Sequence, residues 1–297
     1  MKGVFFLAHD RVFDLAVAFL NSFRENNPDI RLCMIPYGED ILLLSQLQER
    51  YNFSIYQNRE VLASCDEISV AFAGAREGHY RKLACWHGDF DEFIYIDVDT
   101  VVLGDVAPVF RFLAEYGFVT SHSNIPNIVR YVWKKSIYKT GYLSPVQINY
   151  AANTGFIASR KGMLDVREAK DKLGQGLAVF AHMALGREQP FLNYLIVTSG
   201  KKYTSLRALA IKGEYPKNKL EKWAGNNTAL LRIAGVILGR KPPQVLLIHW
   251  AGKWTPTRYD RIAFVFLRFL RIRGRDDRPD IRFFMPYKKL WQHYRFL

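Results

Sequence analysis

The sequence predicts an α/β fold in which helices cover both faces of a mostly parallel sheet. In the first hundred residues, short apolar segments typical of strands alternate with segments of helical period, which is the pattern of a parallel sheet. Hydrophobic residues make up 49% of the 297 residues and charged residues 24%, an ordinary globular composition. Because a chain of this length typically buries ~75% of its unfolded surface, a sizeable core is expected.

The elements of the first hundred residues follow from their hydrophobic patterns. FDLAVAFLNSFREN has the period of an amphipathic helix, whereas VFFLA and FIYI are short apolar runs typical of buried strands. RLCMIPYG is a strand that ends in turn-forming residues. The predicted strands are residues 4–8, 31–38, 53–57 and 93–96, and the predicted helices are residues 13–26, 41–50 and 79–87.

The pattern is looser after residue 100. Residues 122–150 are polar and aromatic without a clear period, and a helical region over 163–197 is interrupted near Gly186. No internal repeat or boundary is evident before about residue 256, so we expect one domain over residues 1–256 and an extension over 257–297. The other predicted elements are a short helix at 108–117 and strands at 118–123, 153–159 and 246–254.

The chain is strongly basic. Lys and Arg number 42 against 28 Asp and Glu, and the net charge of +14 favours binding to phosphates, nucleic acid or anionic lipid. Residues 258–297 mix Arg and Lys with Phe, Trp and Tyr, and the apolar residues 262–270 are too few to cross a bilayer yet dense enough to lie at its surface. Peripheral attachment to an anionic membrane is one hypothesis for this extension; packing of its aromatic residues on the main domain is the other.

The cysteines and the amino-terminal residues indicate the cellular compartment in which the protein is expected. Cys33, Cys65 and Cys85 are odd in number and widely spaced, which argues against a disulfide framework and against a zinc site. The apolar run of MKGVFFLAHDR ends at His9, and no small-residue cleavage site follows it. We therefore expect a cytoplasmic protein, with the inner face of a membrane as its potential site of attachment.

The segment FIYIDVDTVVL places two carboxylates, Asp97 and Asp99, at the end of an apolar strand. In open α/β sheets, ligands bind at the carboxyl ends of the strands. Aspartates at positions i and i+2 can turn their oxygens to one side, where they suit Mg²⁺ or Mn²⁺ shared with a diphosphate. The alternative is a turn in which Asp99 caps the next segment and Asp97 is solvated.

Five segments together resemble the retaining GT-A glycosyltransferases of the glycogenin and lipopolysaccharide galactosyltransferase family, glycosyltransferase family 8. Residues 80–110, YRKLACWHGDFDEFIYIDVDTVVLGDVAPVF, resemble the core signature of that family. The others are VFFLAHDRVFDLAVAFLNSFRENNPD, NTGFIASRKG, REQPFLNYL and LIHWAGKW, in the family's order over residues 1 to about 256. The resemblance implies a GT-A fold and transfer of a hexose from a nucleotide-diphosphate sugar, with a UDP-sugar expected.

The resemblance also implies roles for individual residues. The metal ligands would be Asp97, Asp99 and His249, with Mn²⁺ or Mg²⁺ as the cofactor, and the catalytic residues would be Gln189 and Glu188. The residues that bind the nucleotide sugar would be Ala8 and Asp10 at the uracil or ribose, Lys82 at the nucleotide or sugar, the Val98 backbone at the ribose, Asn153, Thr154 and Gly155 in the sugar pocket, and Gly252 and Lys253 at the diphosphate.

Several of these residues also have structural explanations that do not involve a ligand. His249 could be a core histidine, Lys82 a solvated charge and Asp10 a helix N-cap. Asn153, Thr154 and Gly155 could form a turn that leads into a strand. The chain also departs from the family, which commonly has Asp-Gln in place of Glu188-Gln189 and often has proline and tryptophan after the lysine that corresponds to Lys253.

Other functions fit the sequence less well. A sugar nucleotidyltransferase normally has a glycine-rich basic loop after the first strand, where this chain has AHDRVF. A non-catalytic protein that binds nucleic acid or an anionic surface would explain the charge but not Asp97, Asp99, His249 and Gln189, so no nucleic-acid partner is expected. A dinucleotide-binding dehydrogenase lacks its G-x-G-x-x-G here. The acceptor, whether a sugar, a lipid-linked sugar or a protein, is not specified by the sequence.

Overall fold

The computed structural model describes residues 1–184, 187–223 and 245–251. The chain forms two compact units, each built from separate stretches of sequence. The larger unit contains Met1–Arg11, Ile30–Asp97 and Ala107–Tyr215, and the smaller contains Val12–Asp29, Val98–Val106 and the described residues from Pro216 onward. The boundary expected between residues 256 and 257 and the whole basic extension lie outside the described residues.

Strands and helices alternate through most of the described chain. The strands are β1 (Lys2–Ala8), β2 (Arg31–Pro36), β3 (Phe53–Ile55), β4 (Glu92–Ile96), β5 (Thr100–Val102), β6 (Phe118–Thr120), β7 (Phe156–Arg160), β8 (Tyr203–Ser205), β9 (Lys222–Trp223) and β10 (Leu247–His249). The α-helices are α1 (Phe13–Asn26), α2 (Leu42–Ser45), α3 (Gln48–Tyr51), α4 (Arg59–Ala73), α5 (Pro126–Val132), α6 (Pro145–Tyr150), α7 (Val166–Gly174), α8 (Glu188–Val197) and α9 (Leu206–Lys212). The 3₁₀ helices are Asp10–Val12, Gly78–His87, Ala107–Ala114, Lys135–Lys139 and Ala178–His182.

The larger unit is built on a seven-stranded sheet in the order β3-β2-β1-β4-β7-β6-β8. All neighbouring strands are parallel except at β7, which runs antiparallel to both β4 and β6. The central strands β1 and β4 are buried over almost their whole length, as is typical of a sheet covered on both faces. These strands confirm the predicted α/β fold with a mostly parallel sheet.

The smaller unit contains α1 and a three-stranded sheet in the order β5-β10-β9. Strand β5 follows directly after Asp99, and side chains at the end of α1 hold it in place. The Val102 amide donates to the Ser22 hydroxyl at 3.0 Å, and the Val106 amide donates to Asn27 Oδ1 at 2.9 Å. The helix thereby fixes the backbone that leads away from the Asp-x-Asp segment.

The structure differs from the predicted elements at several places, and β8, α9 and β9 were not predicted. Helix α4 was not predicted, although Leu62, Cys65 and Ser69 recur at helical spacing on its buried face, which also includes the polar Asp66. Asp66 is accommodated there by Arg81, whose guanidinium lies 2.7 Å from it. Residues 122–150 contain α5 and α6, helices of 7 and 6 residues that are too short to show a period.

The described part of the chain contains no helix that combines the length and the apolar character needed to cross a bilayer.

Candidate active site

Lys82 is buried at the carboxyl end of β4. Its side chain is only 4% exposed, and its Nζ lies 2.9 Å from Asp97 Oδ1, at the residue that follows the strand. The Tyr95 hydroxyl donates to the same oxygen at 2.6 Å, and Lys82 Nζ lies 5.0 Å from the centre of the Tyr95 ring. The solvated-lysine alternative is therefore wrong, because Lys82 is an internal cation that orients Asp97.

Glu188 is the second carboxylate that contacts Lys82. It is the first residue of α8, and its Oε1 accepts from Lys82 Nζ at 2.6 Å and from the Thr154 hydroxyl at 3.1 Å. Burial alone would lower the pKa of Lys82, but Asp97 and Glu188 outweigh burial and raise this pKa above its ordinary value. Lys82 therefore stays protonated and joins two carboxylates that are distant in sequence.

Asn153, Thr154 and Gly155 lie just before β7, beside the end of β4. The Gly155 carbonyl accepts from the Asp97 amide at 2.8 Å, and Asn153 Oδ1 accepts from the Gly155 amide at 3.1 Å. The bond between Asn153 and Gly155 forms a turn that leads into a strand, as one interpretation of the sequence predicts. The bond from the Asp97 amide to Gly155 places this turn against Asp97. The sequence-predicted residues Asp97, Lys82, Glu188 and these three are thus one cluster in the larger unit.

Asn193 supports this cluster from α8 and was not predicted. Its side chain is fully buried, accepts from the Ala152 amide at 2.6 Å and donates to the Ala152 carbonyl at 3.0 Å. It also donates to the carbonyl of Gln189, one turn earlier in the helix, at 2.9 Å. Gln189 itself is the second residue of α8 and is part exposed. Asn193 therefore joins the helix that carries Glu188 and Gln189 to the turn at residues 153–155.

In the smaller unit, β10 brings His249 to Asp99. Strands β5 and β10 pair antiparallel with Thr100 opposite His249, and the Trp250 amide donates to the Asp99 carbonyl at 2.9 Å. His249 Nε2 lies 3.1 Å from Asp99 Oδ1, and the imidazole is only 3% exposed. The predicted pairing of the Asp-x-Asp segment with His249 is therefore present at Asp99.

The other ring nitrogen of His249 faces a carboxylate that the sequence did not indicate. His249 Nδ1 lies 2.6 Å from Oε1 of Glu221, which is buried beside β9. Burial alone would lower the pKa of His249, but Asp99 and then Glu221 outweigh burial and raise this pKa well above its usual value. His249 is thus a buried imidazole whose two nitrogens both face carboxylates, as expected of a satisfied core histidine and compatible with a metal ligand.

The carboxyl ends of β1 and β2 carry polar and aromatic groups. Both oxygens of Asp10 accept backbone amides, those of Leu43 at 2.9 Å and Leu44 at 3.0 Å, so Asp10 fixes the start of α2. The rings of His9 and Tyr37 stack with their centres 4.7 Å apart, although neither was predicted as a site residue. Ala8, the last residue of β1, is fully buried and accepts from the Tyr37 amide.

The remaining predicted residues are placed as follows. Val98 is half-buried and is the first residue of its stretch in the smaller unit. Gly252 and Lys253 lie outside the described residues. All three cysteines are free and buried, and burial raises the pKa of each thiol, that of Cys33 to about 11, so none has the properties of a nucleophilic thiol.

Solved glycosyltransferases share this fold. The glycosyltransferase GlyE of Streptococcus pneumoniae TIGR4 superposes with a TM-score of 0.55 at 12% identity, over 100% of this chain and 61% of GlyE. The galactosyltransferase LgtC, solved with donor and acceptor sugar analogs, has a TM-score of 0.54 at 14% identity, over 92% of this chain and 95% of LgtC. The bifunctional glycosyltransferase WbbM has a TM-score of 0.54 at 13% identity, over 86% of this chain and 46% of WbbM.

The chain has a GT-A fold. This confirms the predicted fold class; at identities of 12–14% the likeness shows the fold alone. The chain spans less than two thirds of the length of GlyE, at 61%. No family model matches the sequence, and no curated protein matches it either.

Proposed function

We propose that the protein is a metal-dependent glycosyltransferase of the family 8 type, which transfers a hexose from a UDP-sugar with retention at the anomeric carbon. The observation that supports this most strongly is the contact of 3.1 Å between Asp99 and His249. These residues are far apart in sequence, and a carboxylate of an Asp-x-Asp segment beside a buried imidazole is a set of ligands for a divalent ion.

The residues fit the proposed ion. Asp97 is two residues from Asp99, so their Cα atoms cannot be more than about 7 Å apart. Two carboxylates and one imidazole suit Mn²⁺ well, whereas Mg²⁺ prefers oxygen ligands alone. When bound, such an ion supplies positive charge that offsets the negative charge developing on a leaving diphosphate. We assign Lys253 and Gly252 to the same diphosphate.

The nucleotide would bind at the carboxyl ends of β1 and β2, where open α/β sheets hold their ligands. The stacked rings of His9 and Tyr37 there offer a face to a base. Ala8 and Asp10 would lie beside the uracil or ribose, and the Val98 backbone would contact the ribose. Asp10 can still accept from a ribose hydroxyl, because each carboxylate oxygen has a second lone pair.

We assign the sugar to the cluster around α8. Glu188 and Thr154 are held together with Lys82, and Asn153 and Gly155 complete the turn beside them. Glu188 accepts two hydrogen bonds at one oxygen, so it is fixed in place, and Gln189 follows it at the part-exposed start of the helix. In this proposal both side chains orient the reacting face of the sugar.

Release of UDP from purified protein tests the proposal. The protein is incubated with UDP-glucose, UDP-galactose and GDP-mannose, each with Mn²⁺ and with EDTA. Slow donor hydrolysis is expected with a UDP-sugar and Mn²⁺, and none with EDTA, because the diphosphate then loses its counter-charge. Hydrolysis that persists in EDTA would contradict metal dependence, and no hydrolysis of any donor would contradict the donor assignment.

Gln189→Ala separates the sugar site from the nucleotide site. We expect a loss of about 10²-fold in kcat for donor hydrolysis, because a side chain that acts on the reacting sugar contributes mainly in the transition state. UDP affinity, measured by calorimetry, should change by no more than about twofold, because the nucleotide is bound elsewhere. Gln175→Ala, at an exposed position after α7, is the matched control. An equal loss of UDP affinity would remove Gln189 from the sugar site.

A further inference from the structure

We infer that Glu221 is a positioning residue that fixes the orientation and tautomer of His249 as a metal ligand. The inference rests on the proposed function, because it assigns a role to a residue behind one of the proposed ligands. Glu221 Oε1 lies 2.6 Å from His249 Nδ1, and His249 Nε2 lies 3.1 Å from Asp99 Oδ1. The imidazole therefore has one nitrogen toward Glu221 and the other toward the Asp-x-Asp segment.

The backbone places Glu221 at this position. Strand β9 begins at the next residue and pairs parallel with β10, with Trp223 opposite His249. On its other side β10 pairs with β5, with Thr100 opposite His249. His249 lies in the middle strand of the three, so the neighbouring strands bring Glu221 and Asp99 to opposite nitrogens of one ring.

Both residues of this contact are buried, so the free-energy cost of removing the Glu221 carboxylate from water must be offset by a partner. Glu221 is 1% exposed and His249 is 3% exposed, and a buried carboxylate is strongly destabilising without a hydrogen-bonding partner. Metal-binding histidines commonly donate the N–H that does not bind the ion to a carboxylate, and Glu221 lies at Nδ1 in the position to accept that proton.

The position of the proton on the neutral imidazole explains why His249 needs Glu221 as a partner. Binding of an ion at Nε2 requires the neutral imidazole with its one proton on Nδ1, where Glu221 accepts it. Without Glu221, the tautomer with the proton on Nε2 would be stabilised by donation to Asp99. In that state Nε2 could not bind an ion, and Asp99 would be engaged by the same proton.

Mn²⁺ binding by Glu221→Gln and Glu221→Ala tests the inference. The concentration of free Mn²⁺ is read from its electron paramagnetic resonance signal, with Mn²⁺ alone and with Mn²⁺ plus UDP. We expect affinity to fall by about 10-fold in Glu221→Gln, which keeps an acceptor oxygen, and by up to about 100-fold in Glu221→Ala. Glu25→Gln, at an exposed acid on α1 of the same unit, should bind like the wild type.

Thermal unfolding in EDTA shows whether each Glu221 variant is folded. Mn²⁺ binding by the wild-type protein shows whether the proposed metal site binds an ion at all. Folded Glu221 variants with unchanged Mn²⁺ affinity would overturn the inference while leaving the proposed metal site intact. Variants of both kinds that are unfolded in EDTA would assign Glu221 a purely structural role and also overturn it. If the wild type itself bound no Mn²⁺, alone or with UDP, the metal part of the proposed function would fail and the role of Glu221 would fail with it.

Discussion

Replacing Asp99 with Asn is expected to lower Mn²⁺-dependent donor hydrolysis by at least about 10³-fold, since a neutral amide is a poor ligand for a hard cation and the counter-charge at the diphosphate is lost. The fold should survive. Asn has nearly the same volume as Asp, and its oxygen can still accept from His249, whose other nitrogen remains bound by Glu221. The loss should therefore be one of metal binding and turnover rather than of stability.

The measurement for Asp99→Asn pairs UDP release with Mn²⁺ titration and thermal unfolding. Asp29→Asn, at an exposed position in the same unit, makes the same chemical change away from the site and should match the wild type in all three measurements. Full activity in Asp99→Asn would show that this carboxylate is not a ligand. A large fall in melting temperature would show instead that the contact with His249 is mainly structural.

Asp97 is a less selective target for the same test. Its Oδ1 accepts from Lys82 and from the Tyr95 hydroxyl, so a neutral side chain there would also disturb a buried ion pair. Asp97→Asn should therefore lose activity and stability together. Asp99→Asn separates the loss of activity from the loss of stability, because the contact between Asp99 and His249 does not involve the buried Lys82.

The sequence predicts the parts of the fold whose hydrophobic pattern is strong. Helix α1 occupies the predicted residues 13–26, and the apolar strands β1 and β4 are where short apolar runs occur. Helix α4 was not predicted although its buried face has helical spacing, and the burial of Asp66 on that face depends on its tertiary pairing with Arg81. Such a pairing has no local signal, so periodicity alone could not reveal it.

Site residues were predictable only where a motif or a family resemblance marked them. Asp97, Asp99 and His249 are marked in this way, but Glu221 lies next to the two-residue strand β9, in a segment with no pattern. Asn193 lies in REQPFLNYL and is the buried one of the two amide side chains of α8. A buried polar residue in an apolar helix is a signal for a bridging role, although its partner at Ala152 depends on the tertiary fold.

Lys82 shows the limit of sequence reasoning most clearly. On a basic helix its residue type favours a solvated position, yet its side chain is 4% exposed and contacts Asp97 and Glu188. Glu188 is 106 residues further along the chain. Burial of this lysine is a consequence of the arrangement of β4 and α8, which local sequence does not encode.

Lys82→Met is accordingly expected to lower the free energy of unfolding by about 3–5 kcal/mol, the typical effect of removing one partner from a buried ion pair. Methionine has a similar length and is apolar, so the main change is the loss of the positive charge between two buried or half-buried carboxylates. Urea unfolding of the EDTA-treated protein measures this effect without any contribution from a bound ion.

Two further variants establish the cause of the Lys82→Met effect. Lys170→Met removes the cation of an exposed pair with Glu67, and should cost less than about 1 kcal/mol because both side chains are solvated. In a Glu188→Gln background, Lys82→Met should cost less than it does alone, since only Asp97 is then left as an unpaired carboxylate. Equal effects of Lys82→Met and Lys170→Met would show that the Lys82 contacts do not hold the cluster together, and the positions assigned to Glu188 and Gln189 would lose their support.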